Sequence, residues 1–319
     1  MGVVDTHSKG NYKFGIVGES FVEFFSNNMG KDIPDELKND FKQKYGDLSS
    51  HNLEYYVKFW FKHITNEEIS HAPIAKTNKY VLTYGNASSY DRGIRAVNTG
   101  SGLSFVIPII VTCIGAVFEG AKPTVIIENP ENHLHPIAQI KLTEFLLFMS
   151  KHIQVIVETH SDHVLKESMQ KGNKKCQMII CKIEDNETKI TILEQSNFKI
   201  SPIAYSEVQH RAFGLYTQDL HENLLSHIQE QHGFGTKAME GHFYSNCSAR
   251  CGLRKWIGGR NNKGTIVADS NNDAQTLPLY IRHYIHHPEC RCLGNAEFTS
   301  EELRQSINFM LNYIENGFS

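Results

Sequence analysis

Two short apolar runs separated by a helical pattern constrain the fold of this chain more than any other feature. The runs "TVII" (124–127) and "IQVIVE" (153–158) flank the segment "IAQIKLTEFLLFMSKH" (137–152), whose apolar residues have helical spacing. Strands joined by a helix of this length pair in parallel through a crossover. A second helical pattern, "DHVLKESMQ" (162–170), continues the alternation. The pattern therefore predicts an α/β fold with a parallel sheet and crossover helices.

The alternation of strands and helices ends near residue 200. Just before that point, "QMIICKIEDNETKITIL" (177–193) predicts a hairpin around a polar turn at 184–187. Beyond it, "TQDLHENLLSHIQEQ" and "TSEELRQSINFMLNYIEN" are helical, the second with Thr299 or Ser300 as its cap. The basic, glycine-rich stretch "GLRKWIGGRNNKG" (252–264) predicts a loop. We therefore expect two domains, an α/β domain over 1–200 and a mainly helical one over 201–319.

Composition limits the classes of protein that this chain can belong to. With 319 residues, 40% of them hydrophobic, a globular protein of one or two domains is expected. The net charge of -3 gives no overall basic field, which leaves nucleic-acid binding possible only through a local patch. The first residues, "MGVVDTHSKGNYKF", lack the basic-then-apolar order of a signal peptide, and the longest apolar run (103–118) is shorter than the ~20 residues of a membrane span. These features predict a cytoplasmic protein without membrane association, in which the seven cysteines are reduced.

Polar side chains follow both predicted strands at the point where each strand ends. Glu128 ends the first strand and Glu158 ends the second, and Thr159, His160 and Ser161 form the loop that follows. Ligands of open α/β folds bind at this edge of the sheet, and Mg²⁺ prefers one or two carboxylates together with water and phosphate. The edge therefore predicts a magnesium-nucleotide site. The alternative is that Glu128 caps the next helix and the histidines are ordinary structural residues.

A glycine-rich turn precedes the long apolar helix. "NTGSGLSFVIPII" (98–110) brings free backbone amides to the positive end of the helix dipole, where they favour an anion. The residues of this turn that we single out are Gly100, Ser101, Gly102 and Ser104.

Taken together, "GSGLS", "VIIENPENHLHP" and "VETHS" resemble three motifs of one family of proteins. They are similar to the signature loop, the Walker B strand with its D-loop, and the switch-histidine loop of ABC-type ATPases. The similarity is to the SMC-like and overcoming-lysogenization-defect group, which includes AAA-domain ATPases of bacterial defence. It covers roughly residues 95–170, with a looser match over 10–95 and 171–200.

The resemblance implies ATP and Mg²⁺ as cofactors and assigns a role to each matching residue. Glu128 would support the magnesium ion, and His160 would sense the γ-phosphate. Asn129 stands where the family usually has a glutamate or glutamine that positions the attacking water. Phe105 stands where a glutamine is expected. The glycine turn would contact a nucleotide held by a second protomer, and the loop that crosses the dimer interface would be formed by His133, Leu134 and His135.

The motif G-x-x-x-x-G-K-S/T, whose amides and lysine cradle the phosphates, does not occur in the sequence. In the family it lies well upstream of the signature loop, so we expect that the chain begins inside an ATPase domain. The expected partners are therefore a nucleotide and either a second copy or an N-terminal ATPase half that supplies the loop. Because an asparagine cannot act as a general base, a degenerate scaffold that does not hydrolyse ATP is the alternative.

A second group of candidate residues lies in "LYIRHYIHHPE" (279–289). Arg282 and His287 have the spacing of the arginine-x4-histidine motif that HEPN-type helical domains carry. Many of those domains are RNases, and "HENLL" (221–225) would belong to the paired helix. The resemblance implies Arg282 and His287 as catalytic residues. A structural helix end, or a surface for nucleic acid or a partner protein, remains open.

Four cysteines near the end of the chain suggest a zinc site, namely Cys247, Cys251, Cys290 and Cys292. Their C-x3-C and C-x-C spacings differ from those of common zinc knuckles. Reduced cysteines without a metal are the favoured interpretation.

Overall fold

A computed structural model describes residues 2–4, 21–47, 49–73, 80–84, 94–95, 101–118, 124–172, 176–193, 204–260, 266–267 and 274–316. The chain divides into two compact units, Met1–Cys176 and Gln177–Ser319. The division precedes the expected boundary near residue 200, so the predicted hairpin belongs to the second unit.

The first unit contains six helices and six strands among its described residues. The helices are α1 (Phe21–Asn28), α2 (Asp35–Tyr45), α3 (Leu53–Thr65), α4 (Ser101–Phe118), α5 (Pro136–Met149) and α6 (Asp162–Gly172). The strands are β1 (Gly2–Val4), β2 (Ile69–Pro73), β3 (Tyr80–Tyr84), β4 (Ile94–Arg95), β5 (Thr124–Glu128) and β6 (Gln154–Glu158).

The sheet that carries the candidate site has the order β1-β5-β6. β5 and β6 are parallel and α5 connects them, which confirms the predicted crossover. β1 pairs antiparallel with the other edge of β5. A separate antiparallel sheet is formed by β2, β3 and β4.

An aromatic core fixes the helices of the first unit. The fully buried Trp60 of α3 lies with its ring centroid 4.9 Å from that of Phe145 and 5.4 Å from that of Phe148, both on α5. Phe41 of α2 packs edge-on against Tyr56 at 4.7 Å. The core also includes the apolar residues of α4, which confirms that this segment is a buried helix. This packing positions α5, and therefore both strands that it connects.

The second unit combines helices with short strands. Its helices are α7 (Tyr205–Phe213), α8 (Gln218–His232), α9 (Thr236–Cys251), α10 (Leu277–His286) and α11 (Ser300–Asn316). Its strands are β7 (Met178–Glu184), β8 (Glu187–Leu193), β9 (Leu253–Lys255), β10 (Gly259–Arg260), β11 (Ile266–Val267) and β12 (Ala274–Thr276).

Two local predictions for the second unit are confirmed and one is wrong. β7 and β8 form the hairpin, and Asp185 and Asn186 in its turn both have positive φ, as a tight hairpin turn requires. The Thr299 hydroxyl accepts a hydrogen bond from the amide of Glu302 and so caps α11. The stretch 252–264 is not simply a loop, because it contains β9 and β10. These strands pair with β12 and β11, and strands of two or three residues leave no apolar alternation in the sequence.

Within the described ranges, no helix has both the length and the apolar character that a membrane span requires.

Candidate functional site

Two carboxylates lie side by side where the parallel strands of the first unit end. Glu128 and Glu158 are register partners in the β5–β6 pair, as the sequence predicted, and both are exposed. Adjacent strands are ~4.8 Å apart, and like charges placed directly opposite one another repel. A cation between the two carboxylates would relieve this repulsion. This edge therefore offers oxygen ligands of the kind that Mg²⁺ binds.

The chain leaves β5 through a tight turn that begins at Asn129. Asn129 has φ 46°, in the left-handed region that asparagine tolerates better than most residues. Its amide donates to the carbonyl of Glu158 at 2.8 Å, so the hydrogen bonding between the strands continues past β5. Its carbonyl accepts from the amide of Asn132 at 3.1 Å. The turn places Asn129 directly beside the carboxylate edge.

The loop after this turn contains the three predicted interface residues. His133 also has positive φ, at 60°, and its side chain is exposed, as is that of His135. Leu134 between them is buried. The ring of His135 accepts a long hydrogen bond of 3.4 Å from the amide of Ile137 and begins α5. The loop thus exposes the imidazoles of His133 and His135, while the buried side chain of Leu134 holds it in place.

His160 lies on the loop after β6, at the same edge as the carboxylates. Its Nε2 is 3.4 Å from Oε1 of Glu158, and its side chain is 80% exposed. Its amide donates to Oε1 of Glu131 at 2.8 Å, which ties the loop after β6 to the turn after β5. The backbone of His160 is therefore held while its ring remains accessible to a ligand.

Gly102, in the first turn of α4, lies against the loop that contains His133 and Leu134. A Cβ added at Gly102 would lie 2.3 Å from the carbonyl oxygen of His133 and 3.2 Å from a methyl carbon of Leu134. Only glycine allows the first turn of α4 to approach that backbone so closely. Gly100 lies outside the described residues, as do the side chains of Ser101 and Ser104. Phe105, one turn further along, is 53% exposed.

Three residues of this edge make contacts that the sequence motifs do not reveal. Glu131, Gln139 and Ser161 make the side-chain hydrogen bonds that join the turn after β5 to the loop after β6. Their partners depend on the strand register, so no spacing in the sequence identifies them. In the described ranges, no group of three or more histidine, cysteine, aspartate or glutamate side chains is arranged to hold a metal ion. Glu128 and Glu158 would thus supply only part of a magnesium shell.

The structure places the predicted HEPN-type pair at the end of α10. Arg282 lies within α10, whereas His287 is the residue after its last turn and contacts Glu289 at 3.2 Å. The neighbouring His286 contacts Glu222 of α8 at 2.6 Å, so "HENLL" does lie on a helix that packs beside α10. Burial, reinforced by the positive charge of Arg282, lowers the pKa of His283 to about 4.

We expect that the purified protein does not cleave single-stranded RNA, because His287 is engaged by Glu289 and lies outside the helix. Gel analysis of a labelled RNA without added metal is the measurement, with the Arg282→Ala and His287→Ala variants as comparison. Cleavage by the unmodified protein that disappears in both variants, with melting temperatures within a few degrees, would contradict the structural interpretation.

Among the described side chains, no group of three or more potential metal ligands includes the cysteines of the suggested zinc site. Cys251 and Cys290 are buried, Cys292 is exposed, and the side chain of Cys247 lies outside the described residues.

Comparison with known families agrees with the geometry of the first unit. Residues 7–165 match the family model of an AAA ATPase domain, over just under half of the chain. The matched segment contains α4, the carboxylate edge and the loop after β6. No curated protein matches the chain.

Solved structures similar to this chain include ATPase heads of SMC proteins. One comes from a study of ATP-driven dimerisation and DNA-stimulated activation of SMC ATPases; it is 14% identical, covers 50% of this chain and 91% of that one, and has a TM-score of 0.36. The Smc head domain of Pyrococcus yayanosii is 12% identical, with coverages of 50% and 28% and a TM-score of 0.38. The SMC head domain of Thermotoga maritima is 10% identical, with coverages of 46% and 49% and a TM-score of 0.32. The chain spans less than half of the length of the latter two.

Proposed function

We propose that the edge formed by β5 and β6 binds the phosphates and Mg²⁺ of ATP and hydrolyses ATP within a larger assembly. The observation that carries this proposal is the paired ends of two parallel strands, where Glu128 and Glu158 lie beside the accessible ring of His160. Glu128 holds the magnesium ion and His160 contacts the γ-phosphate. Asn129 orients the attacking water.

A nucleotide also needs a cradle for its α- and β-phosphates. Because the sequence has no G-x-x-x-x-G-K-S/T motif, we propose that an N-terminal ATPase half supplies that loop. The glycine turn at Gly100, Ser101, Gly102 and Ser104 then faces the nucleotide of a second protomer. The loop of His133, Leu134 and His135 lies at the interface. The resemblance to defence ATPases is what suggests a cytoplasmic anti-phage or DNA-associated role, with nucleic acid as a further partner.

Two other functions remain as alternatives to be tested. The asparagine at position 129 favours a scaffold that binds nucleotide without hydrolysing it, because an amide cannot remove a proton from water. The position of HENLL beside α10 is the observation that keeps an RNase in the second unit under test.

The chain alone should bind MgATP only weakly, with a Kd of about 1 mM or weaker, because it offers two carboxylates, one histidine and a helix N-terminus but no lysine cradle. Calorimetric titration measures this directly. A Kd in the low micromolar range with one site per chain would show that the chain holds a complete phosphate loop.

A further inference from the structure

Two side chains join the loop that we place at the dimer interface to the loop that carries His160. Glu131 accepts a hydrogen bond from the amide of His160 at 2.8 Å, and Gln139 accepts one from the hydroxyl of Ser161 at 2.5 Å. The residues joined are 29 and 22 positions apart in the chain. Both bonds therefore depend on the parallel pairing of β5 and β6.

Gln139 uses both ends of its amide group. Its Nε2 donates to the carbonyl of Leu134 at 2.9 Å, while its Oε1 accepts from Ser161. The Ser161 oxygen in turn accepts from the amides of His163 and Val164, each at 3.2 Å, and so caps α6. A continuous path of hydrogen bonds thus leads from the interface loop through one side chain to the start of α6.

This path is shielded from water at its centre. Ser161 is buried, and Gln139 is partly buried. A hydrogen bond in such surroundings is not replaced easily by one to water, so breaking it leaves polar groups unsatisfied. Leu134, at the start of the path, is itself buried and lies against Gly102. A displacement of the interface loop must therefore move Gln139 or break its bonds.

We propose that Gln139 is a positioning residue that transmits a displacement of the interface loop to His160, with Glu131 as the second connection. Docking of a partner against His133 and His135 moves Leu134, and the amide of Gln139 passes this movement to Ser161 and to the neighbouring His160. The proposal rests on the function proposed above, in which a partner docks at the interface loop and His160 contacts the γ-phosphate. The alternative is that Gln139 only stabilises the cap of α6.

A double-mutant cycle separates coupling from simple stabilisation. Amide hydrogen exchange over residues 160–164 is measured by mass spectrometry for the unmodified chain, Leu134→Ala, Gln139→Leu and the double variant. Leu134→Ala should speed exchange there by about threefold when Gln139 is present, since the path loses its anchor. It should have no further effect when Gln139 is already leucine. If Leu134→Ala does not fold, Gly102→Ala replaces it as the disturbance of the loop.

Gln154→Leu is the matched control, because Gln154 also bridges β5 and β6, by accepting from the Thr124 hydroxyl at 2.8 Å, but at the opposite end of the strands. It should leave exchange at 160–164 unchanged. Equal acceleration by Leu134→Ala in both backgrounds, or none in either, would overturn the proposal. The experiment uses no nucleotide, so its failure and a failure of the proposed ATPase function are distinguishable.

Discussion

Glu128→Gln is expected to lower the rate of ATP hydrolysis by the complete assembly at least about 100-fold, since the magnesium ion loses a charged ligand in a site built on electrostatic stabilisation. His160→Ala should cause a loss of similar size, because the γ-phosphate loses its contact on this side. Phosphate release by the chain together with the partner that supplies the phosphate loop is the measurement.

Glu67→Gln provides the matched control, because Glu67 is an exposed carboxylate of the same unit, outside the β5–β6 edge. Its rate should equal that of the unmodified assembly. An unchanged rate after Glu128→Gln would remove the magnesium role from that residue.

Asn129→Glu tests the water-positioning role by a substitution that should raise the rate instead of lowering it. If the amide limits activation of the attacking water, a carboxylate at this position should raise the rate of the same assembly. A rate that stays the same or falls would mean that another step limits hydrolysis, or that the left-handed backbone at Asn129 does not accept glutamate.

Gly102→Ala should lower the stability of the first unit. The added methyl group would lie 2.3 Å from the His133 carbonyl oxygen, and a backbone atom cannot swing aside as a flexible side chain can. Overpacking of this kind costs about 1–3 kcal/mol. The corresponding loss of melting temperature is roughly 2–10 °C, measured by calorimetry or circular dichroism.

Gly30→Ala is the control for this substitution, because a Cβ at Gly30 meets no atom within 4 Å. Its melting temperature should stay within about 1 °C of the original. If Gly102→Ala melts at the same temperature as Gly30→Ala, the close contact between α4 and the interface loop does not exist in solution.

The local pattern of the sequence was sufficient to predict the centre of the α/β unit. Apolar runs at 124–127 and 153–158 gave two strands, and the intervening helical pattern required them to be parallel. From that pairing, the adjacency of Glu128 and Glu158 follows directly. The hairpin turn and the Thr299 cap were predictable for the same reason, because both depend on residues close together in the chain.

Features that depend on distant packing were not predictable in the same way. β9 and β10 pair with strands beyond their own segment and are only three and two residues long. In the sequence, Gln139 is an ordinary residue of a predicted helix. Its hydrogen bonds to Leu134 and Ser161 become evident only once the strand register is known.

The position of the metal of MgATP on the protein shows whether the β5–β6 edge is the nucleotide site. With Mn²⁺ replacing Mg²⁺ and ATP at millimolar concentration, the paramagnetic ion broadens the NMR signals of amides that lie near it, even when binding is weak. We expect selective broadening at Asn129, Thr159 and His160, its loss in Glu128→Gln, and sharp signals throughout the β7–β8 hairpin. Signals at the carboxylate edge that stay as sharp as those of the hairpin, at a concentration of nucleotide where binding is measurable, would contradict this expectation.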